Sequence, residues 1–524
     1  MLFHSYYFIF VFLPLVVTST FILGQSGHKR LAIGFLIIAS FFFYSLGSGG
    51  SLILLAGSLV ANYVLGKEIY RTKSIVTLWV GVILNIAILG YFKYQNFFEH
   101  ILAETVFLVS VSDSLIFPLA ISFFTFQQIS FLVDVQKDRA QANDFISYCL
   151  FVTFFPQLIA GPILRYQQFT SQITKEFLGK FDNTNLAIGI TIFSLGLFKK
   201  TVLADGIAPF SNEVFNSAAA GGSITFFQAW GGSLSYTFQI YFDFSAYSDM
   251  AVGLGRVFGI KIPVNFYSPY KATNIIDFWR RWHITLSSFL RDYIYIPLGG
   301  NKFGQLKKYK NILLTMLLAG VWHGSNWTYV AWGGLHGIYL VINHLWQAVS
   351  ISNNQLSKSF RDKFGVFLSR SLTFIAVVIA WVLFRAENMH VAGEIYKGMI
   401  GLNGISIPSP LGNLLGSFKD DLQSWGVMFT LEGKRPFVNT YKWIIISMIM
   451  VWLSPNVYQF MHDFEPTFKQ PFKIHMKEPP QKSGLYYNLL HWSPSKFWAI
   501  TISITLVVAI MAITTIQEFI YFQY

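Results

Sequence analysis

Long apolar runs separated by short polar turns dominate the pattern of this 524-residue chain. About 20 residues of α-helix cross a hydrocarbon core of roughly 30 Å, and most of the runs approach or reach that length. The pattern predicts an all-α polytopic integral membrane protein, and we interpret the first run as a retained helix and not a signal peptide. The predicted helices lie near residues 6–24, 31–47, 50–66, 75–97, 115–135, 145–164, 185–205, 226–255, 311–323, 326–347, 366–386, 441–455 and 496–516.

One of the runs carries helix breakers near its end. The sequence Pro156-Gln-Leu-Ile-Ala-Gly161-Pro162 interrupts the run at 145–164. Irregular backbone at membrane depth is tolerated only where protein or a water-filled cavity covers it. We therefore expect a re-entrant or tilted segment at this position.

The segment 278–293 combines charged and aromatic residues. Phe278, Trp282, Phe289 and Tyr293 recur at four- and seven-residue steps, which predicts one apolar stripe along a single helix. The three arginines of this segment would each cost about 2.5–3.5 kcal/mol at the bilayer centre. Arginines beside tryptophans suit the headgroup plane, so the pattern predicts an interfacial amphipathic helix.

Composition supports a membrane protein and excludes other classes. Hydrophobic residues make up 53% of the chain and charged residues 12%, against about 25% charged in soluble domains. The net charge of +13 does not indicate nucleic acid, because Lys and Arg lie in short loops between apolar runs. The single cysteine, Cys149, is interpreted as a packing residue. No metal-binding motif and no G-x-S-x-G nucleophile motif occurs in the sequence.

The distribution of Lys and Arg among the first loops predicts the orientation. Basic residues occur in the loops at 25–30, 67–74 and 136–143. The turn at 45–51 has no charge, and the loop at 98–114 has acidic residues but no Lys or Arg. Because cytoplasmic loops carry the excess of positive charge, the N-terminus is predicted to lie outside and the three basic loops in the cytoplasm.

Two histidines lie among the apolar residues of the run 311–347. His323 follows one apolar run, and His336 comes thirteen positions later in the next. A polar side chain at membrane depth is costly and normally faces a cavity, a partner or a substrate. Imidazole is also suited to proton transfer near neutral pH. The alternative is that both histidines only bridge helices through backbone carbonyls.

Two carboxylates, Asp243 and Asp249, lie six residues apart among aromatic residues. Buried charges usually come paired, which favours ion pairs with Arg280, Arg281 or Arg291. The functional alternative is that the carboxylates line a polar tunnel or orient a catalytic histidine.

Several of these runs together resemble the membrane-bound O-acyltransferases (MBOAT), and within them the bacterial alginate O-acetyltransferase group (AlgI). The similarity extends over roughly residues 1–390, in consistent order, and is loose after that. The matching runs are PLAISFF (118–124), PQLIAGPILR (156–165), YFDFSAYSDM (241–250), FWRRWHITLS (278–287), LRDYIYIPLGGNK (290–302), VWHGSN (321–326) and GLHG (334–337).

The resemblance implies an MBOAT-like bundle, with re-entrant and interfacial helices around a transmembrane tunnel. It implies a catalytic membrane core at 1–390 and a C-terminal region at 391–524. His323 occupies the position of the family's catalytic histidine, and His336 matches a second family histidine, for which a packing role stays open. The supporting or tunnel residues that it implies are Asp243, Asp249, Arg280, Arg281, His283 and Asn326. For His283, a structural role at the membrane interface remains an equal alternative.

The activity that the resemblance implies is O-acetylation of an extracytoplasmic polysaccharide, alginate-like or another exopolysaccharide, by an enzyme of the inner membrane. The expected donor is acetyl-CoA or another acyl thioester used from the cytoplasm, with no bound cofactor. The expected partner is a periplasmic or extracellular acetyltransferase that completes transfer to the polysaccharide. Transfer of D-alanine or another acyl group to a cell-envelope polymer is an alternative. A small-solute transporter is another, because broken helices and buried polar groups also occur in transporters.

The orientation can be tested by cysteine labelling in intact cells. With Cys149 replaced by alanine, Ser48→Cys should react with a membrane-impermeant thiol reagent and Ser74→Cys should not, because Ser74 follows the basic loop predicted to be cytoplasmic. Both cysteines should react after the membrane is permeabilised, which controls for accessibility. Labelling of position 74 but not 48 in intact cells would reverse the predicted orientation.

Overall fold

The computed structural model of this protein describes residues 1–105, 118–173, 181–352, 363–430, 434–468, 491–513 and 519–520. These residues are mostly helical, which confirms the predicted all-α membrane fold. In the described ranges seven helices are long and apolar enough to cross a membrane. They are Phe8–Gln25, Lys29–Gly47, Leu52–Thr72, Ile75–Gln95, Asn183–Ala219, Phe364–Arg385 and Arg435–Leu453.

The N-terminal helices follow the predicted apolar runs closely. They are α1 (Leu13–Gln25, continuing a π-helical turn at Phe8–Phe12), α2 (Lys29–Ser48), α3 (Leu52–Thr72), α4 (Ile75–Thr105) and α5 (Ile121–Gln136). An ion pair between Lys73 and Asp138 joins the basic loops at 67–74 and 136–143. At the other ends of these helices, the Tyr44 hydroxyl donates to the Leu119 carbonyl at 2.8 Å. The two predicted cytoplasmic loops therefore lie on the same face of the protein.

The helix is interrupted before Pro162, as the helix breakers of this run indicate, and the re-entrant or tilted course of the segment stays a prediction. The structure has α6 (Phe145–Thr153), a single turn α7 (Phe155–Leu158) and α8 (Tyr166–Ile173), with non-helical backbone between α7 and α8. The Gln157 side chain donates to the Phe151 carbonyl at 2.6 Å. Nearly every residue of this irregular backbone is buried, as membrane-depth backbone outside a helix requires.

The centre of the fold is a long buried helix. Helix α9 (Asn183–Phe198) continues through a π-helical stretch (Lys199–Ala204) into α10 (Asp205–Ala219), and α11 (Phe226–Val257) returns beside both. Almost every residue of α11 from Gly231 onwards is buried. The Thr225 and Gln228 side chains form a reciprocal capping box that fixes its start.

The segment 278–293 is not one amphipathic helix, and that prediction is wrong. Helix α12 (Ile275–Arg281) ends before Trp282, His283 has a left-handed backbone with φ 42°, and α13 (Ile284–Leu290) starts afresh before a π-helical stretch at Arg291–Tyr295. Asn265 stabilises the break, because its backbone carbonyl accepts from the Ile284 N–H at 2.9 Å. The predicted stripe is also mostly inside the protein: three of its four residues, Phe278, Trp282 and Phe289, are buried.

Helices α14 (Gly304–His323) and α15 (Trp327–Ser352) form a tight antiparallel hairpin. Their backbones meet at Gly320 and Gly333. A Cβ atom at Gly320 would lie 2.3 Å from the Tyr329 carbonyl oxygen, and one at Gly333 would lie 2.3 Å from the Met316 carbonyl oxygen. Only glycine permits so close an approach, and this approach sets the position of the C-terminal end of α14.

The remaining elements pack against this core. They are α16 (Lys363–Arg385), α17 (Met389–Met399), β1 (Ile405–Pro408), α18 (Ser409–Gly412), α19 (Phe418–Ser424), β2 (Val427–Thr430), α20 (Lys434–Leu453), α21 (Val457–Phe460) and α22 (Lys496–Met511). The two short strands pair in parallel, Ile405 opposite Val427, and were not expected from the apolar pattern. The Phe226 N–H donates to the Gly404 carbonyl at 3.0 Å, which ties this region to the start of α11.

Gly333→Ala should destabilise the hairpin, because the added methyl group overlaps backbone atoms that cannot move aside independently. Overpacking of this kind costs about 1–3 kcal/mol. We expect a lower thermal unfolding temperature of the detergent-solubilised protein, measured by size-exclusion fluorescence after heating. Gly334→Ala is the matched control, because its Cβ would meet only Leu317 Cδ2 at an ordinary 3.5 Å. Equal melting temperatures for the two variants would contradict the proposed constraint.

Candidate active site

His323 is the last residue of α14 and is buried inside the protein. Three aromatic side chains surround its imidazole. The ring centroid lies 4.6 Å from Trp322, 5.0 Å from Trp332 and 5.0 Å from Phe384, the last two meeting it edge to face. These contacts exclude bulk solvent and hold the ring in one orientation.

His336 lies on α15, one turn after Trp332 and on the same face of the helix. Its ring centroid is 4.9 Å from Trp332, so this indole contacts both histidines. The Trp279 indole N–H donates to His336 Nδ1 at 3.3 Å. Because Nδ1 accepts this bond, the neutral ring carries its proton on Nε2. The structure therefore brings together the two histidines that were singled out in the sequence.

Three polar nitrogens of this aromatic cluster have no hydrogen-bond partner among the described residues. They are His336 Nε2 and the indole Nε1 atoms of Trp332 and Trp322, all of them buried. A buried donor without a partner costs about 1–3 kcal/mol. Such groups are expected where a substrate or an ordered water completes the site.

Two residues of α4 hold the end of α14 and were missed by the sequence analysis. The Lys93 ammonium donates to the Trp322 carbonyl and lies 5.3 Å from the centre of the Trp322 ring. The hydroxyl of Tyr94 donates to the Val321 carbonyl at 2.6 Å. The last carbonyls of a helix have no partner within the helix, and a cation there also opposes the helix dipole. A lysine inside the apolar run of α4 was the available signal.

The predicted arginine partners of Asp243 and Asp249 are wrong. Lys200 Nζ lies 2.7 Å from Asp243 Oδ1, and Lys199 Nζ lies 2.5 Å from Asp249 Oδ2. Lys200 also contacts Asp205 at 2.9 Å. Both carboxylates are buried and both are paired with lysines of the π-helical stretch, so the structure favours the ion-pair interpretation over direct contact with a histidine.

The remaining oxygens of these carboxylates bind groups from the C-terminal region. The Tyr458 hydroxyl donates to Asp249 at 2.7 Å, and the Ile520 N–H donates to Asp243 at 3.0 Å. The division of the chain at residue 390 stays a prediction, but residues on its two sides share this buried network.

The other predicted supporting residues lie in separate environments. Arg280 is exposed, and Arg281 pairs with Asp277 at 2.8 Å. Asn326 Oδ1 accepts from the Thr328 N–H at 3.1 Å, and its amide donates to the Glu387 carbonyl. Asn326 therefore caps the start of α15.

His283 is buried and does not lie at a surface, contrary to the interfacial interpretation. Its Nδ1 lies 3.1 Å from Asn265 Oδ1, which also accepts from the Thr285 hydroxyl at 2.9 Å. The ring meets Phe244 edge to face at 4.8 Å. This polar group belongs to the break between α12 and α13. In the described ranges, no cluster of three or more His, Cys, Asp or Glu side chains could hold a metal ion.

The fold and this site define an integral-membrane protein with a histidine centre enclosed in aromatic side chains. Residues 70–384 match the family of membrane-bound O-acyltransferases. The chain belongs to this family, which confirms the expected class of enzyme, an O-acyltransferase, over a solute transporter.

Named relatives are similar over most of the chain. A peptidoglycan O-acetyltransferase of Helicobacter pylori is 40% identical over 489 residues, covering 87% of this chain and 90% of that protein. A protein of Pseudomonas aeruginosa named "probable alginate O-acetylase AlgI" is 40% identical over 411 residues, covering 76% of this chain and 75% of that protein. A teichoic acid D-alanyltransferase of Bacillus subtilis is 26% identical over 408 residues, covering 74% of this chain and 98% of that protein.

Lys93→Met should reduce acyl transfer about tenfold, because the Trp322 carbonyl loses its donor and an unmade buried hydrogen bond costs about 1–3 kcal/mol. The loss should persist when the acyl donor is saturating, so it should appear in kcat. Tyr94→Phe is the matched control: it removes the neighbouring bond to Val321 without removing a charge, and it should have the smaller effect. If the two variants lose activity equally, the ammonium has no special part in holding the end of α14.

Proposed function

We propose that this protein is an O-acetyltransferase that passes acetyl groups from a cytoplasmic thioester donor, most simply acetyl-CoA, towards hydroxyl groups of an extracytoplasmic polysaccharide. The observation that carries the proposal is the buried imidazole of His323, enclosed by aromatic rings beside three N–H groups that have no partner among the described residues. The names of the relatives support acetyl as the group and a polysaccharide as the acceptor.

A membrane-embedded site solves a transport problem for this reaction. CoA is highly charged and polar, and moving such groups into hydrocarbon is prohibitively costly. An acetyl group is small and uncharged. If the thioester reaches His323 from one side and the acceptor from the other, only the acetyl group has to cross.

His323 supports two routes, which stay open. As a general base, it takes the proton of the acceptor hydroxyl while the oxygen attacks the thioester carbonyl carbon. The carbon–sulfur bond then breaks, and the thiolate leaves and receives that proton. As a nucleophile, the imidazole attacks the carbonyl itself, forms an acyl-imidazole and releases the thiol, and the acceptor hydroxyl then takes the acyl group.

His336 is suited to a supporting role in either route. Its Nδ1 is engaged by the Trp279 indole, so the proton on Nε2 is available for donation. A donor at this position could bind the thioester carbonyl oxygen as negative charge develops on it. It could equally orient the imidazole of His323. In both cases His336 donates and does not accept a proton.

The identity of the final acceptor depends on a partner. We propose that a periplasmic or extracellular acetyltransferase completes the transfer to the polysaccharide. Alginate and peptidoglycan are the substrates in the names of relatives that are about 40% identical, whereas the D-alanyltransferase relative is 26% identical. Acetyl transfer is therefore favoured over D-alanyl transfer.

His323→Gln should abolish acetylation of the polysaccharide while the protein remains folded and inserted. Glutamine can hydrogen-bond but cannot accept a proton near neutral pH, and loss of a general base typically costs ~10²–10⁴-fold in rate. His336→Ala should give a smaller, graded loss, because a missing donor weakens but does not remove the chemistry. The measurement is ester-linked acetate in the envelope polysaccharides of a deletion strain complemented with each variant.

Protein amount in the membrane fraction and the elution profile in detergent serve as controls for folding. Ester-linked D-alanine is measured in the same strains, and its loss in place of acetate would favour the D-alanyl alternative. Near wild-type acetate with well-expressed His323→Gln would show that His323 is structural.

A further inference from the structure

A cleft with basic and hydroxyl side chains lies between α5, the non-helical segment before α8, and the region around α13. Its lining contains two arginines, and no acidic residue is among the lining residues. They are Ser130, Ile163, Leu164, Arg165, Gln168, Pro263, Thr285, Ser288, Phe289, Arg291 and Tyr293.

One carboxylate, which is not itself among the lining residues, accepts hydrogen bonds from both arginines. Arg291 Nε donates to Asp292 Oδ1 at 2.6 Å, and Arg165 donates to Asp292 Oδ2. The Arg165 guanidinium also lies 5.7 Å from the centre of the Tyr293 ring. Burial alone would raise the pKa of the Asp292 carboxyl, but the hydrogen bonds and charges of the two arginines outweigh it and lower that pKa. Asp292 therefore stays ionised and orients the guanidinium groups.

Neutral donors complete the lining. Gln168 and Ser288 also line the cleft, and their side chains carry an amide and a hydroxyl group. Guanidinium groups together with amide and hydroxyl donors are the combination that binds phosphate, and arginine is favoured for its planar geometry.

The cleft lies near the predicted cytoplasmic face. Tyr293, which lines it, donates to Asp134 Oδ2 at 2.9 Å in the last turn of α5. Four residues later, Asp138 pairs with Lys73 between the two basic loops. The cleft is thus at the membrane face where the Lys and Arg residues of the first loops collect.

A series of aromatic ring contacts connects the cleft to His323. Phe289, which lines the cleft, stacks on Phe126 with centroids 4.3 Å apart. Phe126 lies 5.1 Å from Trp322, whose ring lies 4.6 Å from the imidazole of His323. Three ring-to-ring contacts therefore connect the lining of the basic cleft to the histidine.

We infer that the cleft around Arg165 and Arg291 binds a phosphate group of the acyl-thioester donor and thereby places its thioester near His323. The inference rests on the proposed function and adds to it a requirement for phosphate on the donor. A phosphate of a membrane lipid has the same chemistry and is the competing occupant.

The test compares two donors that differ in phosphate, S-acetylpantetheine and acetyl-CoA, with purified protein in phosphatidylcholine vesicles. The wild-type protein should have a lower KM for acetyl-CoA. Arg165→Gln and Arg291→Gln should each raise that KM about tenfold or more, as expected for a lost hydrogen bond to a charged group. The KM for S-acetylpantetheine, and kcat with either donor, should remain within about twofold because the chemistry at His323 is untouched.

Two further variants keep the result interpretable. Arg165→Lys retains a charge that can pair with Asp292, so its KM for acetyl-CoA should lie between the values for the wild type and Arg165→Gln. A variant that fails to fold would not give this intermediate value. Arg139→Gln removes an exposed cation from the same face without touching the cleft and should leave both KM values unchanged. Equal effects of Arg165→Gln on both donors would mean that the arginine is only structural.

A lipid occupant gives a different pattern. In that case the two donors would have the same KM, and the difference between wild type and Arg165→Gln would depend on adding phosphatidylglycerol to the vesicles, which would overturn the inference. If no donor supports transfer with the wild-type protein, the proposed function fails first. If transfer occurs but the KM values for acetyl-CoA and S-acetylpantetheine are equal, only the cleft assignment fails.

Discussion

The backbone contact between Gly320 and Gly333 is the constraint on which the histidine site depends. Because neither residue has a side chain, α14 and α15 approach until a Cβ atom would overlap a carbonyl oxygen of the other helix. The last turn of α14 then lies against Trp332, which contacts His323 on one side and His336 on the other. A wider helix spacing would separate the imidazoles and open the aromatic enclosure to water. The glycine contact is thus a condition for the geometry of the site.

Charge at membrane depth imposes a second constraint, which is met by side chains distant in the sequence. Asp243 and Asp249 are six residues apart on α11, about 9 Å along the helix axis. Adjacent lysines of the π-helical stretch, Lys200 and Lys199, reach one each. The network is completed by groups from beyond residue 450. A buried acceptor left without its donor costs about 1–3 kcal/mol, so the C-terminal region contributes to the stability of the core even though it resembles the family only loosely.

The lengths of the apolar runs predicted the long helices that face lipid or neighbouring helices. This worked because a chain that crosses hydrocarbon has few alternatives to a helix for satisfying its backbone hydrogen bonds. The prediction failed at 278–293, where Asn265, more than ten residues upstream, supplies hydrogen bonds to the first residues of α13. The role of Lys93 was missed for the same reason, because its hydrogen-bond partner, the Trp322 carbonyl, is more than 200 residues away in the sequence. His323 could be found because a histidine between apolar runs is unusual, whereas the indoles of Trp279 and Trp332 were indistinguishable from the other tryptophans of an aromatic-rich chain.

Under the proposed function, the aromatic enclosure also protects a thioester that lies near the imidazole of His323. Water at His323 would compete with the acceptor hydroxyl and waste the donor by hydrolysis, so an acyltransferase has to exclude it. Trp322, Trp332 and Phe384 cover the ring, and the stack through Phe126 separates it from the polar cleft at Arg165. Aromatic side chains suit this purpose because each covers a large apolar area around the imidazole. Under the proposed function and the cleft assignment, the charge of the donor is recognised in the polar cleft and the bond is made at the imidazole of His323, so the two events take place at different positions.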